Sequence, residues 1–174
     1  MSTAYIVIIA IFLVLTIIGI IFIGLYSRII FRKKKVEDKL DVINKDLEER
    51  GTIIQKVNAI ISTQSFHEDN LVLELSNLYE NISKKGDSTL NLLNKSEDSL
   101  IQALSLDSVH PELSKNNEYV KLKELFRENQ YKVMYAIEIY NEEVEEYNNY
   151  RKKFIINIVN KICKFTNYDS YNKK

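Results

Sequence analysis

Tryptophan is absent from this chain, cysteine and proline occur once each, histidine twice and glycine four times in 174 residues. The lone cysteine, Cys163, excludes an intramolecular disulfide and a cysteine-based metal cluster, in keeping with a reducing compartment. It sits on an apolar face with no nearby histidine, so buried filler is its expected role. Two histidines, His67 and His110, are too few for a His-rich catalytic metal site. His67-Glu68-Asp69-Asn70-Leu71 lacks the second histidine of a zinc-binding His-Glu-x-x-His helix, which leaves helix capping as the simpler reading. Glycine-rich loops, nucleophile elbows and aspartate-rich metal loops are all missing. No catalytic residue, cofactor, metal ligand or small-molecule substrate is therefore inferred, and the chain is not expected to be an enzyme.

Charge is missing from the first 27 residues altogether. Ala4 to Tyr26 gives 23 uncharged residues without proline, against the roughly 20 that a membrane-spanning helix needs. At about 1.5 Å per residue this segment reaches roughly 33 Å, enough to cross the hydrocarbon layer. Tyr5 and Tyr26 bracket it where amphipathic rings favour the headgroups. A cleaved signal peptide would want a basic start, a shorter apolar core and a small-residue cleavage site. Here Arg28, Arg32, Lys33, Lys34 and Lys35 follow instead, which favours a retained anchor. That collar of five positive charges places the C-terminal side in the cytoplasm and the N-terminus outside. It also suits anionic lipid, at roughly 1 kcal/mol per basic side chain near the surface. The remainder carries 19 basic against 24 acidic residues and offers nothing for nucleic-acid binding.

Beyond the apolar segment only Gly51, Gly86 and Pro111 interrupt the chain, and apolar residues recur at spacings of three and four. That pattern is all-helical. A first soluble helix over 36–64, free to continue out of the membrane helix, carries Val36, Leu40, Ile43, Leu47, Arg50, Ile54, Val57 and Ile61 in one stripe. Arg50 is its one polar member. Either its stem packs while its head reaches a carboxylate or water, or it forms a buried ion pair that fixes helix register. Ser65 to Glu68 reads as a capping box opening a second helix, which buries Leu71, Leu75, Leu78 and Ile82 and stops at Gly86. A third begins near Ser88 with Leu90, Leu93, Glu97, Leu100 and Leu104 on one face. A loop over 105–113 leads to the longest helix, from Ser114, with a stripe through Tyr119, Leu122, Phe126, Asn129, Val133, Ala136, Tyr140 and Tyr147. Weak helix formers at Asn148, Asn149 and Tyr150 mark the expected bend or break. Phe154, Ile155, Ile158 and Ile162 then form a last amphipathic set, and the tail after Tyr168 is expected to fray. The fold expected is all-α: a transmembrane helix followed by an antiparallel four-helix bundle with a long last helix. Its divisions are an anchor (1–27), a basic collar (28–35), a bundle (36–168) and a polar tail (169–174).

Tyr140-Asn141 recurs seven residues later as Tyr147-Asn148, with Val144 between the pairs and Phe154 beyond. This segment resembles the YN-x3-V-x2-YN signature of LemA family proteins. The resemblance extends to Asp46, Leu47, Arg50, Ile53 and Ile54, to the pair His67-Glu68, and to Glu97, Leu100, Ala103 and Leu104. It continues through Pro111, Leu113, Asn116, Tyr119 and Leu122 and covers essentially the whole chain. Gln55 and Ile155 stand where the family usually has proline, and the loop before Pro111 is about four residues shorter. The resemblance implies a helical bundle anchored in a bacterial inner membrane, with a short outer N-terminus and a cytoplasmic body. It transfers no catalytic motif.

Two further features admit an interaction role. Glu138, Glu142, Glu143, Glu145 and Glu146 read first as a solvated acidic face, with a docking surface for a basic partner or weak divalent binding as the alternative. The Tyr-Asn pairs read first as core positions with hydrogen-bonded hydroxyls, and otherwise as a polar seam for self-association. The expected function is a membrane-anchored scaffold or accessory protein whose partners are the lipid bilayer and another protein or a second copy. The alternative is a metal-dependent regulator or enzyme with a site near Arg50, His67 and Glu97. The spanning segment has no Gly-x3-Gly pair, since Gly19 and Gly24 are five apart.

Overall fold

The computed structural model describes residues 3–64, 68–84 and 88–171, and all regular structure among them is helical. Among these residues there are five α-helices: α1 (Thr3–Ser62), α2 (Asp69–Lys84), α3 (Thr89–Leu104), α4 (Asn117–Lys152) and α5 (Phe154–Cys163). Two 3₁₀ turns, Leu106–Ser108 and Pro111–Lys115, occupy the expected loop between α3 and α4. The capping box at Ser65 and the glycine cap at Gly86 lie outside the described residues.

The apolar segment and the first soluble helix form the single helix α1, because no proline interrupts the collar between them. Gly51 does not break it either. A Cβ at that position would meet Ile82 Cγ2 at 3.2 Å, so the glycine admits the close approach of α2. The long helix starts three residues later than expected, at Asn117. Pro111–Lys115 takes 3₁₀ form, and Asn116 then adopts an extended conformation as its N-cap. The Asn116 Oδ1 accepts from the backbone N–H groups of Glu118 and Tyr119 at 2.9 and 3.1 Å. Helix α3 starts beside Ser88 as expected, and the Ser88 hydroxyl accepts from Asn91 N–H as its N-cap.

Contacts divide the chain into two units, Met1–Asp38 with Tyr140–Ser170 and Lys39–Ile139 with Tyr171–Lys174. In the second unit α1 buries Ile43, Leu47, Arg50, Ile54, Val57 and Ile61, and α2 buries its four expected residues. Leu93, Leu100 and Leu104 are buried on α3, and Tyr119, Leu122, Phe126, Asn129, Val133 and Ala136 on α4. Asn58 Nδ2 donates to Ser76 Oγ at 2.8 Å, tying α1 to α2. In the first unit the buried set includes Ile29, Val36, Tyr140, Val144 and Tyr147.

Helix α4 runs through Asn148, Asn149 and Tyr150 and breaks instead at Lys153, whose φ of −60° and ψ of 135° are extended. The break is secured from α5, where buried Asn160 donates through Nδ2 to the Arg151 carbonyl at 2.7 Å. This reverses the expected orientation of α5. Ile156, Val159 and Asn160 face inward, whereas Phe154, Ile155, Ile158 and Ile162 are exposed by 83%, 60%, 51% and 63%. Cys163 is half-buried and not the enclosed filler expected of it. The start of the tail is held in place where fraying was expected, since Tyr171 is buried and its hydroxyl donates to Asn94 Oδ1; the residues after Tyr171 lie outside the described set. Asn160→Ala, which leaves the Arg151 carbonyl without this donor, is expected to cost about 1–2 kcal/mol. Hydrogen exchange should accelerate over 150–164, and unchanged exchange there would contradict the capping role.

Candidate functional site

The largest fully buried side chain among the described residues is that of Arg50, in the second unit, with 0% exposure. Its Nε donates to Asn129 Oδ1 on α4 at 2.9 Å. Its Nη1 donates to the Leu93 carbonyl at 3.1 Å and Ser96 Oγ at 3.4 Å, both on α3, and lies 3.9 Å from Glu97 Oε2. The Nη2 group has no hydrogen-bond partner among the described residues, but the guanidinium sits 5.5 Å from the centre of the Phe126 ring. Asn129 uses its other end to donate to the Asp46 carbonyl at 2.8 Å, so one amide joins α4 to two points on α1. Burial pushes the arginine pKa below its ordinary value, and the Glu97 carboxylate opposes that shift.

Neither sequence reading of Arg50 describes this arrangement in full. The head does not reach water, and the strongest partners are neutral oxygens, with the 18%-exposed Glu97 at the margin. Glu97 also accepts from Gln130 Nε2 at 3.4 Å and borders a cleft of about 520 Å³. Arg127, Tyr131, Met134, Ile137 and Tyr171 help to line that cleft. Arg50 and Glu97 thus come together as the sequence suggested, while His67 lies outside the described residues. Glu68 contributes its carbonyl to the first turn of α2, accepting from Val72 N–H at 3.0 Å. His110 Nδ1 stands 3.9 Å from Glu112 Oε1. Among the described residues no group of three or more His, Cys, Asp or Glu side chains is placed to hold a metal ion.

In the first unit Tyr140, Tyr147 and Asn148 form a clasp for the chain that returns after α5. The Tyr140 hydroxyl donates to the Asp169 carbonyl at 3.1 Å and the Tyr147 hydroxyl to the Thr166 carbonyl at 3.2 Å. Asn148 exchanges two bonds with the Tyr168 backbone, donating at 2.8 Å and accepting at 3.3 Å. The Tyr168 ring stands edge-on to Tyr147 at 5.4 Å. Arg151 Nη2 donates to the Phe165 carbonyl, and the guanidinium lies over the Tyr147 ring at 5.4 Å. Val144 is fully buried between the two pairs. The two tyrosines are core, as the simpler sequence reading held, while Asn141 and Asn148 are half-buried, and burial raises the pKa of both Tyr140 and Tyr147. Sequence reasoning missed Tyr168 and Arg151 as their partners. A faint signal existed for Arg151, which follows Tyr147 by one helical turn.

The collar and the acidic stripe, read separately from sequence, meet each other. Arg32 Nη1 is 2.8 Å from Glu146 Oε2, Lys35 Nζ is 3.4 Å from Glu143 Oε1, and Lys33 Nζ is 3.1 Å from Glu37 Oε1. Arg32 also lies over the Tyr150 ring at 4.7 Å. Three of the five collar cations therefore have carboxylate neighbours, which weakens both the lipid-only reading of the collar and the reading of Glu143 and Glu146 as an open docking face. Glu138, Glu142 and Glu145 remain exposed.

These features define an all-helical protein with a long apolar N-terminal helix, a buried arginine node and a tyrosine-asparagine clasp on its longest soluble helix. The LemA family model matches residues 39–174, and the chain belongs to the LemA family. Among curated proteins, none matches the sequence.

Arg50→Ala should destabilise the protein by about 3–5 kcal/mol, since a charged node is removed and its acceptors are left unpaired. In a double-mutant cycle, Arg50→Ala and Asn129→Ala should couple by about 1.5–3 kcal/mol in denaturant unfolding, as expected for a charge-assisted bond. Additivity would show that the bond contributes nothing. The clasp should respond to acid. Glu37 accepts from Lys33 and, at 2.9 Å, from the Tyr168 hydroxyl, and these bonds hold its pKa below the ordinary 4.5. A depressed carboxylate stabilises the fold above its ordinary value and loses that contribution as pH falls through the folded-state value. Amide exchange at residues 166–169 should therefore be steady from neutral pH down to the ordinary glutamate range, once corrected for intrinsic rates, and accelerate below it. Glu37→Gln should remove that acid step.

Proposed function

We propose that this protein is a non-enzymatic scaffold or accessory protein anchored in a bacterial cell membrane. The N-terminus lies outside, and the soluble helices, arranged as an antiparallel four-helix bundle, lie in the cytoplasm. The anchor reading draws on α1, the one helix among the described residues long and apolar enough to cross a membrane. Its most apolar window has a mean hydropathy of 3.5, and none of that window is buried by the protein itself. The five collar cations at the C-terminal end of the apolar stretch support the orientation.

The interaction part is carried by one observation. Tyr131, Met134 and Tyr135 project from α4 largely exposed, at a spacing that puts them on one face, and Tyr131 and Met134 border the cleft beside Glu97. Tyrosine and methionine are enriched at protein interfaces, and their exposure in a row favours a protein partner or a second copy docking here. Attachment to a membrane raises the local concentration of such a surface, so a weak contact suffices.

A photo-crosslinking residue in place of Tyr135 in the full chain, expressed in cells, should yield a protein adduct identifiable by mass spectrometry. Recovery of monomer alone would overturn the scaffold reading. Tyr131→Ala with Met134→Ala should reduce the adduct several-fold while changing unfolding by no more than about 0.5 kcal/mol per site, as is usual at the surface. For topology, a membrane-impermeant thiol reagent should leave Cys163 unlabelled in intact cells and label it after denaturation. Labelling of intact cells would sink the cytoplasmic placement.

A further inference from the structure

We propose that α5 is an interfacial membrane helix, lying in the plane of the bilayer with Phe154, Ile155, Ile158 and Ile162 among the acyl chains of the leaflet from which α1 emerges. This rests on the reading of α1 as a membrane anchor. Beyond the inward face of Ile156, Val159 and Asn160, the helix turns a second apolar face of Phe154, Ile155, Ile158 and Ile162 outward, which a surface facing water would not carry. Those four side chains occupy one side of the helix, at the i, i+1, i+4 and i+8 positions of a single face. At ten residues, about 15 Å, α5 is too short to span a bilayer and suited to lying along one.

Its place in the first unit identifies the occupant. The Phe165 ring, two residues past α5, packs 5.8 Å from the ring of Tyr26, the aromatic residue that ends the apolar stretch of α1. On the other side of α5, Tyr150 lies under the Arg32 guanidinium of the collar. Both flanks of α5 are thus held against the part of α1 that leaves the hydrocarbon. The chemistry agrees, because residues 147–168 contain Arg151, Lys152, Lys153, Lys161 and Lys164 and no acidic residue. A basic rim around an apolar face suits anionic headgroups over acyl chains, and it opposes the pairing of α5 with the equally basic α5 of a second copy.

The full chain, with Cys163→Ser to clear the background, is reconstituted in vesicles of phosphatidylcholine and phosphatidylglycerol. Single cysteines are introduced as Val14→Cys in the anchor, Ile158→Cys on α5 and Tyr131→Cys on α4, each labelled with an environment-sensitive fluorophore. Spin-labelled lipid should quench the Val14 and Ile158 probes several-fold more than the Tyr131 probe, and aqueous iodide should do the reverse. Spin labels high on the acyl chain should act best on Ile158, and labels near the bilayer centre on Val14. Iodide quenching at Ile158 with lipid quenching at Val14 overturns the α5 proposal and leaves the anchor standing. Iodide quenching at both overturns the anchor reading and α5 with it. If Ile158 is shielded from lipid and iodide alike and unlabelled Ile158→Cys chains crosslink to each other, a second copy covers the face and the proposal fails.

Discussion

A guanidinium removed from water demands acceptors in fixed directions, and Arg50 meets that demand from two other helices at once. Asn129 must come from α4 and the Leu93 carbonyl and Ser96 from α3, each within hydrogen-bond reach of a side chain rooted on α1. Sliding either helix by one turn would strand the charge, with a desolvation cost of several kcal/mol. The apolar stripes around it would tolerate such a slip far better, since leucine packs against leucine in many registers. The node therefore selects one arrangement from the many that hydrophobic burial alone allows, and Asn129, bonded at both ends, carries the constraint from α4 back to α1 at Asp46.

A comparable economy of partners governs the first unit. Tyrosine hydroxyls buried with their rings need acceptors, and the returning strand of chain after α5 supplies backbone carbonyls at Thr166 and Asp169. Because seven residues bring a helix back to nearly the same face, Tyr140 and Tyr147, with Asn148 beside the second, present a ladder of polar tips along α4. An extended segment can bind along that ladder, as it does here. The clasp in turn brings Phe165 against Tyr26 and fixes where α5 must lie.

Two clusters of exposed apolar residues outside the anchor differ in chemistry. Tyr131, Met134 and Tyr135 on α4 mix aromatic rings, a hydroxyl-bearing rim and a cleft bordered by Glu97 and Arg127, features suited to a protein surface. Phe154, Ile155, Ile158 and Ile162 have no polar atom in their side chains and are ringed by lysine, features suited to lipid. The difference in composition assigns them different roles in the proposed function.

Much of the secondary structure was legible from periodicity alone. The stripe of α1, the four buried residues of α2, the start of α3 near Ser88 and the all-helical character follow from local spacing and helix propensity, which depend on near neighbours in the chain. The break near the end of α4 was less legible, because Asn148 and Asn149 are poor helix formers by themselves and the tail contacts that engage Asn148 are remote in sequence. The orientation of α5 was not legible at all. Its amphipathic pattern is the same whether the apolar face meets protein or lipid, and the burial of Ile156 and Val159 together with the bond from Asn160 to Arg151 decides which side turns inward. Likewise, sequence showed an arginine in an apolar stripe, but whether its head reaches water depends on acceptors 43 to 79 residues away. The sequence by itself determined the apolar helix, its basic flank and the helical faces, since those are properties of adjacent residues. The tertiary structure decided what each polar group on those faces would meet, since that depends on which distant segments share the same space.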